Sequence, residues 1–432
     1  MALKRLQPRI RRALVRGCLF LLLGICLQGP SWAVTVRRVP ISSRSLIYDP
    51  DRAILYASSG DSIVPMDPIQ GTRGIPLPVK GGPGKIVISD DGQFLYAVTD
   101  ASDTVTRVSI PAGKVDLRFQ VDTVKGEFHR KVIDIAAVPG RPEAICVARY
   151  YPCCSPRAGG ILLFENGEPL PLQAFGGLGE SEGDMITFDD TAEKLFSYQS
   201  ELTSYNFIVL RVENDGVRAL KEIGGLLTGG STTIIAGGGR VYSNFGTVID
   251  STNVKVIGSL NVAGDVWPDP KAGRVFVVSS DGRNNSTISS FDQGSLAKLQ
   301  SIAVPSTGET GSLRRWGERG LTFRSNSTIF LVEEELVLPA SRRPFRRGEV
   351  TGDSRLTVSD PVNLLGYIFR GSPKPSCQKS GDVDDDGKLT PTDAIALLNF
   401  LFLGGPAPPA PLSACGTDPT KDNLSCDTYL CD

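Results

Sequence analysis

The sequence predicts a mainly β fold, a seven-bladed β-propeller over residues 34–338, followed by a small α-helical domain over residues 348–432. Three observations lead to this prediction. Short strand patterns separated by turn residues fill the first region, which contains almost no long amphipathic helical pattern. These patterns recur about seven times at spacings of roughly 30 to 55 residues, as expected for blades of four strands. Helical spacing of apolar residues is clear only near the C-terminus.

The first residues of the chain have the pattern of a secretory signal peptide. Six basic residues lie among the first sixteen, an apolar run extends from Gly17 to Leu27, and Ser31, Trp32 and Ala33 form a small-x-small cleavage site. The apolar run is too short to cross a bilayer comfortably. We expect residues 1–33 to be removed, giving a protein that is secreted, extracellular or at the cell surface, with no membrane span after cleavage.

The composition is that of an ordinary globular protein, with 41% hydrophobic and 22% charged residues. The 47 glycines and 30 prolines indicate many turns. The formal net charge is −1, and it becomes more negative once the basic leader is removed. A nucleic-acid partner is therefore not expected.

The clearest blade pattern extends from Pro83 to Val121. Asp90-Asp91-Gly92 forms its first tight turn, and Pro111-Ala112-Gly113 forms its last. The predicted strands are Ile86–Ser89, Phe94–Thr99, Thr104–Ile110 and Val115–Val121. Six other copies can be aligned with it, which predicts seven blades, while six or eight blades and a pair of β-sandwiches remain alternatives.

The strand pattern from Val34 to Ile41 precedes the first copy and has no partner there. We expect it to become the outer strand of the last blade. Such pairing closes the ring of blades and removes an exposed sheet edge.

The same blade pattern resembles the YVTN family of propeller repeats. The resemblance lies in the turn from Ser89 to Gly92, in Tyr96 on the next strand, and in the pair Thr104-Val105. It implies a binding platform of the kind found in surface and periplasmic proteins. It implies no particular reaction, because propellers serve both as enzymes and as scaffolds.

Candidate catalytic residues are few in the propeller, and we predict no catalytic set. The single histidine, His129, lies in a polar segment that is expected to be a solvated loop. A glycosidase needs only two carboxylates, so the acidic residues leave that chemistry open. Five aspartates recur near the ends of strands, and we interpret them as turn-forming residues. These are Asp49, Asp90, Asp134, Asp189 and Asp269.

One propeller loop contains Tyr150, Tyr151, Cys153 and Cys154 and follows a strand with Cys146. The aromatic residues could form a recognition surface. We expect a disulfide between Cys146 and either of the other two cysteines, or a bridge between the adjacent pair.

An Arg-rich segment, residues 339–347, separates the two predicted domains. We interpret it as a solvated linker. Its arginines are Arg342, Arg343, Arg346 and Arg347.

The C-terminal domain contains a twelve-residue segment, DVDDDGKLTPTD, with the spacing of an EF-hand calcium loop. Such a loop supplies oxygen ligands from positions 1, 3, 5, 7, 9 and 12 and has glycine at position 6. Gly387 is at that position here. Asp385 is expected to point outward. The predicted Ca²⁺ ligands are Asp382, Asp384, Asp386, the Lys388 carbonyl, Thr390 and Asp393.

A second copy of this unit begins thirty-three residues earlier, with Glu349 at position 1 and Ser354 in place of the glycine. We expect this loop to bind Ca²⁺ weakly or not at all. Its candidate ligands are Glu349, Thr351, Asp353, Arg355 through its carbonyl, and Asp360.

An apolar helix follows each loop, and we expect the two helices to pack on each other. The predicted stripes are Val362, Leu365, Ile368 and Phe369 in the first helix, and Ile395, Leu398, Leu401 and Phe402 in the second.

These two loop-helix units resemble a dockerin-type domain. The resemblance implies calcium-dependent folding and docking onto a cohesin-like extracellular protein. In that family the helices and loop positions 10 and 11 make the contact. Those positions are Val358 and Ser359 in the first unit, and Pro391 and Thr392 in the second.

Cys377, Cys415, Cys426 and Cys431 lie in or after this domain. Two disulfides are expected, with three possible connectivities, and a zinc site is the less favoured alternative.

The sequence therefore predicts a secreted calcium-binding protein with a propeller for recognition and a dockerin-like domain for anchoring or assembly. The expected partner is a cohesin-like protein or a cell-surface or glycan ligand. An alternative is an extracellular glycan-active hydrolase that the dockerin-like domain recruits to a polysaccharide-degrading complex. A propeller that holds a redox cofactor is a third possibility.

Overall fold

The structure is a computed structural model. It describes residues 34–432 apart from 123–128, 154–156, 173–182, 192, 201–203, 284, 334–342, 421, 423, 427–428 and 430–432. The predicted signal peptide, Cys154, Arg342 and Cys431 lie outside the described residues. No helix within the described part of the chain is long and apolar enough to span a bilayer.

The strands of residues 35–333 form seven antiparallel sheets, and each sheet is one blade of a β-propeller. Strand β1 (Thr35–Val39) comes first. Blade 1 contains β2 (Leu46–Asp49), β3 (Ile54–Ser59), β4 (Ser62–Asp67), β5 (Thr72–Arg73) and β6 (Leu77–Pro78). Blade 2 contains β7 (Ile86–Ile88), β8 (Phe94–Thr99), β9 (Thr104–Ser109) and β10 (Lys114–Gln120). Blade 3 contains β11 (Lys131–Ala137), β12 (Ala144–Tyr150), β13 (Ala158–Glu165) and β14 (Glu168–Pro169).

The remaining blades follow in chain order. Blade 4 contains β15 (Met185–Phe188), β16 (Lys194–Tyr198), β17 (Phe207–Glu213) and β18 (Gly216–Ile223). Blade 5 contains β19 (Ile234–Ala236), β20 (Arg240–Ser243), β21 (Thr247–Asp250) and β22 (Lys255–Ser259). Blade 6 contains β23 (Asp265–Asp269), β24 (Arg274–Ser280), β25 (Asn285–Asp292) and β26 (Lys298–Pro305). Blade 7 contains β27 (Thr310–Trp316), β28 (Gly320–Ser325) and β29 (Thr328–Glu333).

The first strand of each blade is its inner strand. These seven strands contact one another in chain order, and β27 contacts β2 to complete a ring around a central channel. The prediction of seven blades is confirmed. The strands of blade 2 lie within a residue or two of the predicted bounds, because turn residues mark their ends clearly in the sequence.

The outer strand of blade 7 comes from the other end of the propeller chain. Strand β1 pairs antiparallel with β29, with Thr35 opposite Glu333 and Val39 opposite Ile329. This confirms the predicted closure. The pairing joins the first and last strands of the ring and covers the edge that β29 would otherwise expose.

The propeller core is divided among the interfaces between blades. A separate apolar cluster lies at each of the seven interfaces between neighbouring blades, including that between blades 7 and 1. In the last of these, Val39 of β1 packs with Leu46 of blade 1 and Leu331 of blade 7. Successive side chains of a strand point to opposite faces of the sheet. Both faces carry apolar side chains, because a neighbouring blade covers each face.

The C-terminal region contains α1 (Ser359–Arg370), the short helix α2 (Gln378–Gly381) and α3 (Pro391–Leu403). Helices α1 and α3 pack on each other, and Leu364 and Ala394 are buried where they meet. Both helices end at a glycine in the left-handed region, Gly371 and Gly404, each with φ 68°. The two glycines occupy equivalent positions of the duplicated unit.

The predicted disulfides of Cys146 in the propeller are wrong, whereas a bridge between the adjacent pair Cys153 and Cys154 stays a prediction because Cys154 lies outside the described residues. Cys146 is free and buried in β12, so it does not bridge to the loop that contains Cys153. Cys153 is itself disulfide-bonded. In the C-terminal region, Cys377 is bonded to Cys426, and Cys415 is also disulfide-bonded.

Candidate metal centre

Three of the predicted calcium ligands meet at one point in the second loop. Carboxylate oxygens of Asp382, Asp384 and Asp393 all lie within 4.8 Å of one another. Asp382 and Asp393 are buried, whereas Asp384 is exposed. Oxygens of this kind at this separation can share one hard cation.

Asp393 is placed by the start of α3. Thr390 is the N-cap of this helix, Pro391 occupies its first turn, and Thr390 and Asp393 form a capping box. The Asp393 carboxylate accepts the backbone N–H of Thr390 at 2.8 Å and that of Val383 at 2.7 Å. The same side chain therefore ends the loop, begins the helix and faces the other two carboxylates.

Asp382 is placed by the turn that follows it. Its two carboxylate oxygens accept the N–H groups of Asp386 and Gly387, both at 3.0 Å. The turn needs a left-handed backbone at Gly387, where φ is 79°. The predicted role of this glycine therefore has a direct conformational reason.

The two buried carboxylates fit a cation better than they fit a site without one. Burial raises the pKa of Asp382 to about 6, against the lowering effect of its N–H donors Gly387 and Asp386. Burial also raises the pKa of Asp393, although three N–H groups oppose it. Negative charge at this point is therefore poorly compensated by the protein. A bound Ca²⁺ would supply the missing positive charge.

The other predicted ligands of this loop are not part of the carboxylate cluster. Asp386 is exposed, and its carboxylate accepts the N–H of Lys388 at 2.9 Å. The Thr390 hydroxyl is a donor to Asp393 at 3.3 Å. Ca²⁺ needs six or more oxygens, so the Asp386 carboxylate, the Lys388 carbonyl and water are the candidates to complete its shell.

The first loop repeats the backbone geometry of the second. Asp360 is buried and accepts the N–H groups of Val350, Thr351 and Thr357 at 2.8, 3.1 and 2.8 Å. Each of these donors lies thirty-three residues before the N–H group that binds Asp393. The duplication predicted from the sequence therefore extends to individual hydrogen bonds.

A threonine hydroxyl lies between the two buried carboxylates at the centre of the first loop. The Thr351 hydroxyl is 3.1 Å from both the Glu349 and the Asp360 carboxylates. Glu349 also accepts the N–H of Gly352 at 2.6 Å and that of Asp353 at 3.0 Å. A hydroxyl donor thus lies where the second loop has a third carboxylate.

The remaining candidates of the first loop are exposed. Asp353 and Arg355 are exposed, and Asp353 accepts the N–H of Arg355 at 2.8 Å in a local turn. Within the described residues, the second loop alone contains a cluster of three or more potential metal ligands.

A buried charge network that the sequence analysis missed surrounds the second loop. Arg347 is fully buried and donates to the Asp382 carbonyl at 2.5 Å, to Asp385 at 2.8 Å and to Asp418 at 3.1 Å. Lys379, also buried, donates to Asp418 at 2.6 Å and to Asp422 at 2.8 Å. The C-terminal tail is thereby joined to the calcium loop.

This network corrects two interpretations. Asp385 does not point outward as a spare charge, because it pairs with Arg347. The Arg-rich segment is not simply solvated, since Arg343 and Arg347 are buried and Arg346 donates to the Leu412 carbonyl at 2.8 Å. The partners of Arg347 lie up to 71 residues away, so local charge patterning gives no sign of them.

Helices α1 and α3 pack on each other as predicted, but their predicted apolar stripes are only partly buried. Leu364, Ala394 and Leu397 are buried, and Leu365 and Ile368 are partly buried against the same cluster. Four other stripe residues remain exposed because the buried stripe is narrower than the apolar face of each helix. They are Val362, Phe369, Ile395 and Phe402, with exposed fractions of 60%, 68%, 55% and 63%.

The five recurrent aspartates of the propeller have two different roles. Asp49, Asp189 and Asp269 accept N–H groups of the turns that follow them, as predicted. Asp90 instead accepts the Gly140 N–H of the next blade at 2.6 Å. Asp90 does lie in the predicted turn, which the Gly92 N–H closes on the Ser89 carbonyl at 2.9 Å. Asp134 lies on inner strand β11, so the turn interpretation is wrong for Asp134.

His129 and the aromatic loop of the propeller both have side-chain partners. His129 is half-buried, and its Nε2 is 3.1 Å from the Asp103 carboxylate. We expected His129 to be a solvated loop residue, but it forms an ion pair or a hydrogen bond with Asp103. Tyr151, in the aromatic loop, accepts a hydrogen bond from Arg130 at 2.7 Å.

No family model matches this sequence, and no curated protein matches it. Two solved structures show the same fold. Hydrazine synthase of Kuenenia stuttgartiensis is 16% identical, with a TM-score of 0.52, over 68% of this chain and 96% of that chain. The β-propeller domain of Cps50 (Swd1) from Myceliophteria thermophila is 11% identical, with a TM-score of 0.52, over 69% of this chain and 98% of that chain.

These likenesses establish the class of protein at the level of fold. The chain is a seven-bladed β-propeller protein with a few helices near its C-terminus. At such low identity the comparison carries no information on ligand or reaction.

Proposed function

We propose that this is a secreted calcium-binding protein in which the propeller recognises a ligand and the dockerin-like module anchors the protein or joins it to an assembly. The observation that carries the proposal is the cluster of Asp382, Asp384 and Asp393. It lies in one unit of a duplicated module whose other unit has a threonine hydroxyl in place of the third carboxylate.

The proposed role of Ca²⁺ is structural. Asp393 belongs at once to the cluster and to the first turn of α3, and α3 packs on α1. Arg347 contacts the same loop and the C-terminal tail. Because ion binding to the folded state alone stabilises that state, metal occupancy would hold the helix pair and the tail together.

The proposed assembly role is supported by the exposed apolar side chains of the two helices. Val362 is equivalent to Ile395, and Phe369 is equivalent to Phe402, so the same surface occurs once on each unit. Exposed apolar residues of this size commonly mark protein contacts. The resemblance to dockerin-type domains suggests a cohesin-like protein as the partner.

Secretion is supported by the signal-peptide pattern and by the disulfide chemistry. The Cys377–Cys426 bridge, together with the bonded states of Cys153 and Cys415, suits an oxidising compartment. Mass spectrometry of the culture medium tests this role. Intact protein that begins at Val34 supports it, and retention of full-length protein in the cytosol contradicts it.

Calcium binding is tested by calorimetric titration of the full chain after chelator treatment. One Ca²⁺ per chain and a higher melting midpoint are expected. Asp384→Asn should weaken binding by about ten-fold or more, because it removes a charged ligand. Asp353→Asn, an exposed change in the first loop, is the matched control. An unchanged titration in the Asp384 variant contradicts the assignment.

The assembly role is tested by pull-down from the extracellular fraction with and without Ca²⁺. A captured protein should be lost when both Phe369 and Phe402 are changed to Gln. Val115→Gln, an exposed apolar residue on outer strand β10, is the control. Capture that persists in the double variant, or that needs no Ca²⁺, contradicts docking through this module.

A further inference from the structure

The central channel of the propeller contains a cavity lined by both apolar and charged side chains. It has a volume of about 570 Å³, and residues of all seven inner strands line it. The size is typical of small-molecule sites. The charged residues among those lining it are four cations and two carboxylates. They are Arg44, Lys85, Arg314, Arg324, Asp134 and Asp265.

Both carboxylates are already used to join blades. Asp134 forms an ion pair with Lys85 of blade 2 and accepts the Ile186 N–H of blade 4 at 3.0 Å. Asp265 of blade 6 accepts the Leu313 N–H of blade 7 at 2.5 Å. Both acidic residues therefore have a structural role in joining blades. The side chains that line the cavity include more cations than carboxylates.

The two arginines of blade 7 are not fully satisfied. Nε of Arg314 and Nε of Arg324 are both buried and have no hydrogen-bond partner. One Arg314 nitrogen donates to the Leu313 carbonyl at 2.8 Å, and the guanidinium carbon lies 5.0 Å from the centre of the Trp267 ring. Burial lowers the pKa of Arg314, which shows that nearby Asp265 compensates this charge only in part.

The backbone beside these arginines is specialised. A register shift interrupts β27 between Gly311 and Arg314, and Ser312 within it has a positive φ of 56°. A Cβ on Gly311 would lie 3.0 Å from an Arg324 nitrogen, so glycine makes room for that guanidinium. Bulges of this kind redirect side chains and are frequent near binding sites.

The same irregularity occurs in one other inner strand. Among the seven inner strands, all within the described residues, register shifts occur in β11 and β27. The shift in β11 precedes Asp134, and that in β27 precedes Arg314. The backbone therefore departs from a regular ladder where charged side chains meet the channel.

We propose that this cavity binds a small oxyanion ligand, a molecule with a carboxylate or sulfate group that Arg314 and Arg324 hold, with Lys85 and Arg44 attracting it into the channel. A guanidinium can donate two parallel hydrogen bonds to such a group. These charge-assisted hydrogen bonds are stronger in a site away from bulk water. The inference rests on the recognition role proposed for the propeller and names its ligand class.

Tryptophan fluorescence of the full chain with saturating Ca²⁺ provides the test. Trp267 contacts the Arg314 guanidinium, so ligand entry should change its emission. The probes are glucuronate and sulfate, with uncharged glucose as control, all at constant ionic strength. A saturable response to one or both anions and none to glucose is expected. A stronger response to glucuronate identifies a carboxylate site, and a stronger response to sulfate identifies a sulfate site.

Variants assign the response to the cavity. Arg314→Gln and Arg324→Gln should each weaken binding by about ten-fold, because each removes a charge-assisted pair. Arg283→Gln, at an exposed arginine outside the cavity, should have no effect. If Arg314→Gln does not fold, Arg324→Gln alone decides the result.

Absence of a saturable response, or an equal loss in the Arg283 variant, overturns the inference. Its failure is distinguishable from failure of the calcium proposal, because the anion titration does not depend on the Ca²⁺ titration. A chain that binds Ca²⁺ but no anion refutes this inference alone.

Discussion

Thr351 and Asp384 occupy equivalent positions in the two halves of the C-terminal module, and they act in opposite ways. The Thr351 hydroxyl lies 3.1 Å from two buried carboxylates. Asp384 instead brings a third carboxylate within 4.8 Å of the corresponding pair. One side chain therefore distinguishes a loop with a hydroxyl between two carboxylates from a loop with three carboxylates suited to a cation.

Exchanging these two residues should exchange the properties of the loops. Asp384→Thr should lose Ca²⁺ binding while the chelator-treated protein melts at the same temperature or higher, because a carboxylate repulsion is removed. Thr351→Asp should give a second Ca²⁺ per chain and a lower midpoint without metal. Calorimetric titration and thermal melts measure both. Unchanged stoichiometry in the two variants would contradict the proposed difference.

The tail network should make the module sensitive to acid. Burial raises the pKa of Asp418, but hydrogen bonds from Lys379 and its other neighbours outweigh burial and lower the pKa to about 2. A carboxyl whose pKa falls on folding stabilises the folded state above its unfolded pKa of about 4. This stabilisation is lost as the pH falls from about 4 to 2.

Asp418→Asn tests this dependence. It should cost about 3 kcal/mol of unfolding free energy at pH 6, since it leaves buried Arg347 and Lys379 with one carboxylate fewer. The difference from the parent protein should shrink toward pH 2. Denaturant unfolding across this range measures it, with the exposed change Asp215→Asn as control. A difference independent of pH would refute the assigned role.

Cys146 should be unreactive in the folded protein. It is free and buried, and burial raises its pKa to about 12. Thiolate is the reactive form, so maleimide at pH 8 should not label it until the protein is denatured. Peptide mass spectrometry after labelling measures this. The Cys377–Cys426 pair serves as control, because it should stay unlabelled unless reductant is added.

Closure by β1 should contribute strongly to propeller stability. Val39 is 5% exposed and packs with Leu331 in the interface between blades 7 and 1. Val39→Ala should destabilise the fold by about 2 kcal/mol, because a cavity remains. Val34→Ala, at a residue that is 41% exposed, should be nearly neutral. Equal midpoints of the two variants in denaturant would show that closure contributes little.

The propeller was predictable because its signals are local. Turn residues and alternating strand patterns repeat along the chain, and a single repeat is too short to fold alone, as expected for the blades of a propeller. The loop at Asp382 was predictable for the same reason, since a calcium loop draws its ligands from twelve consecutive residues.

The burial of Arg347, the contacts of Asp385 and the roles of Asp90 and Asp134 were not predictable in this way. Each depends on residues in another blade or in the distant tail. Exposure of Phe369 and Phe402 likewise depends on how α1 and α3 rotate against each other, which helical spacing alone does not specify.

By itself, the sequence determined the mainly β repeat fold, the number of blades through its repeats, and a duplicated loop with one complete ligand pattern. Only the tertiary structure decided which carboxylates meet, that the Thr351 hydroxyl lies between two carboxylates, and that Arg314 and Arg324 face a shared channel. The physical reason is that spacing along the chain specifies local geometry, whereas charge compensation and burial depend on groups that folding brings together from distant positions.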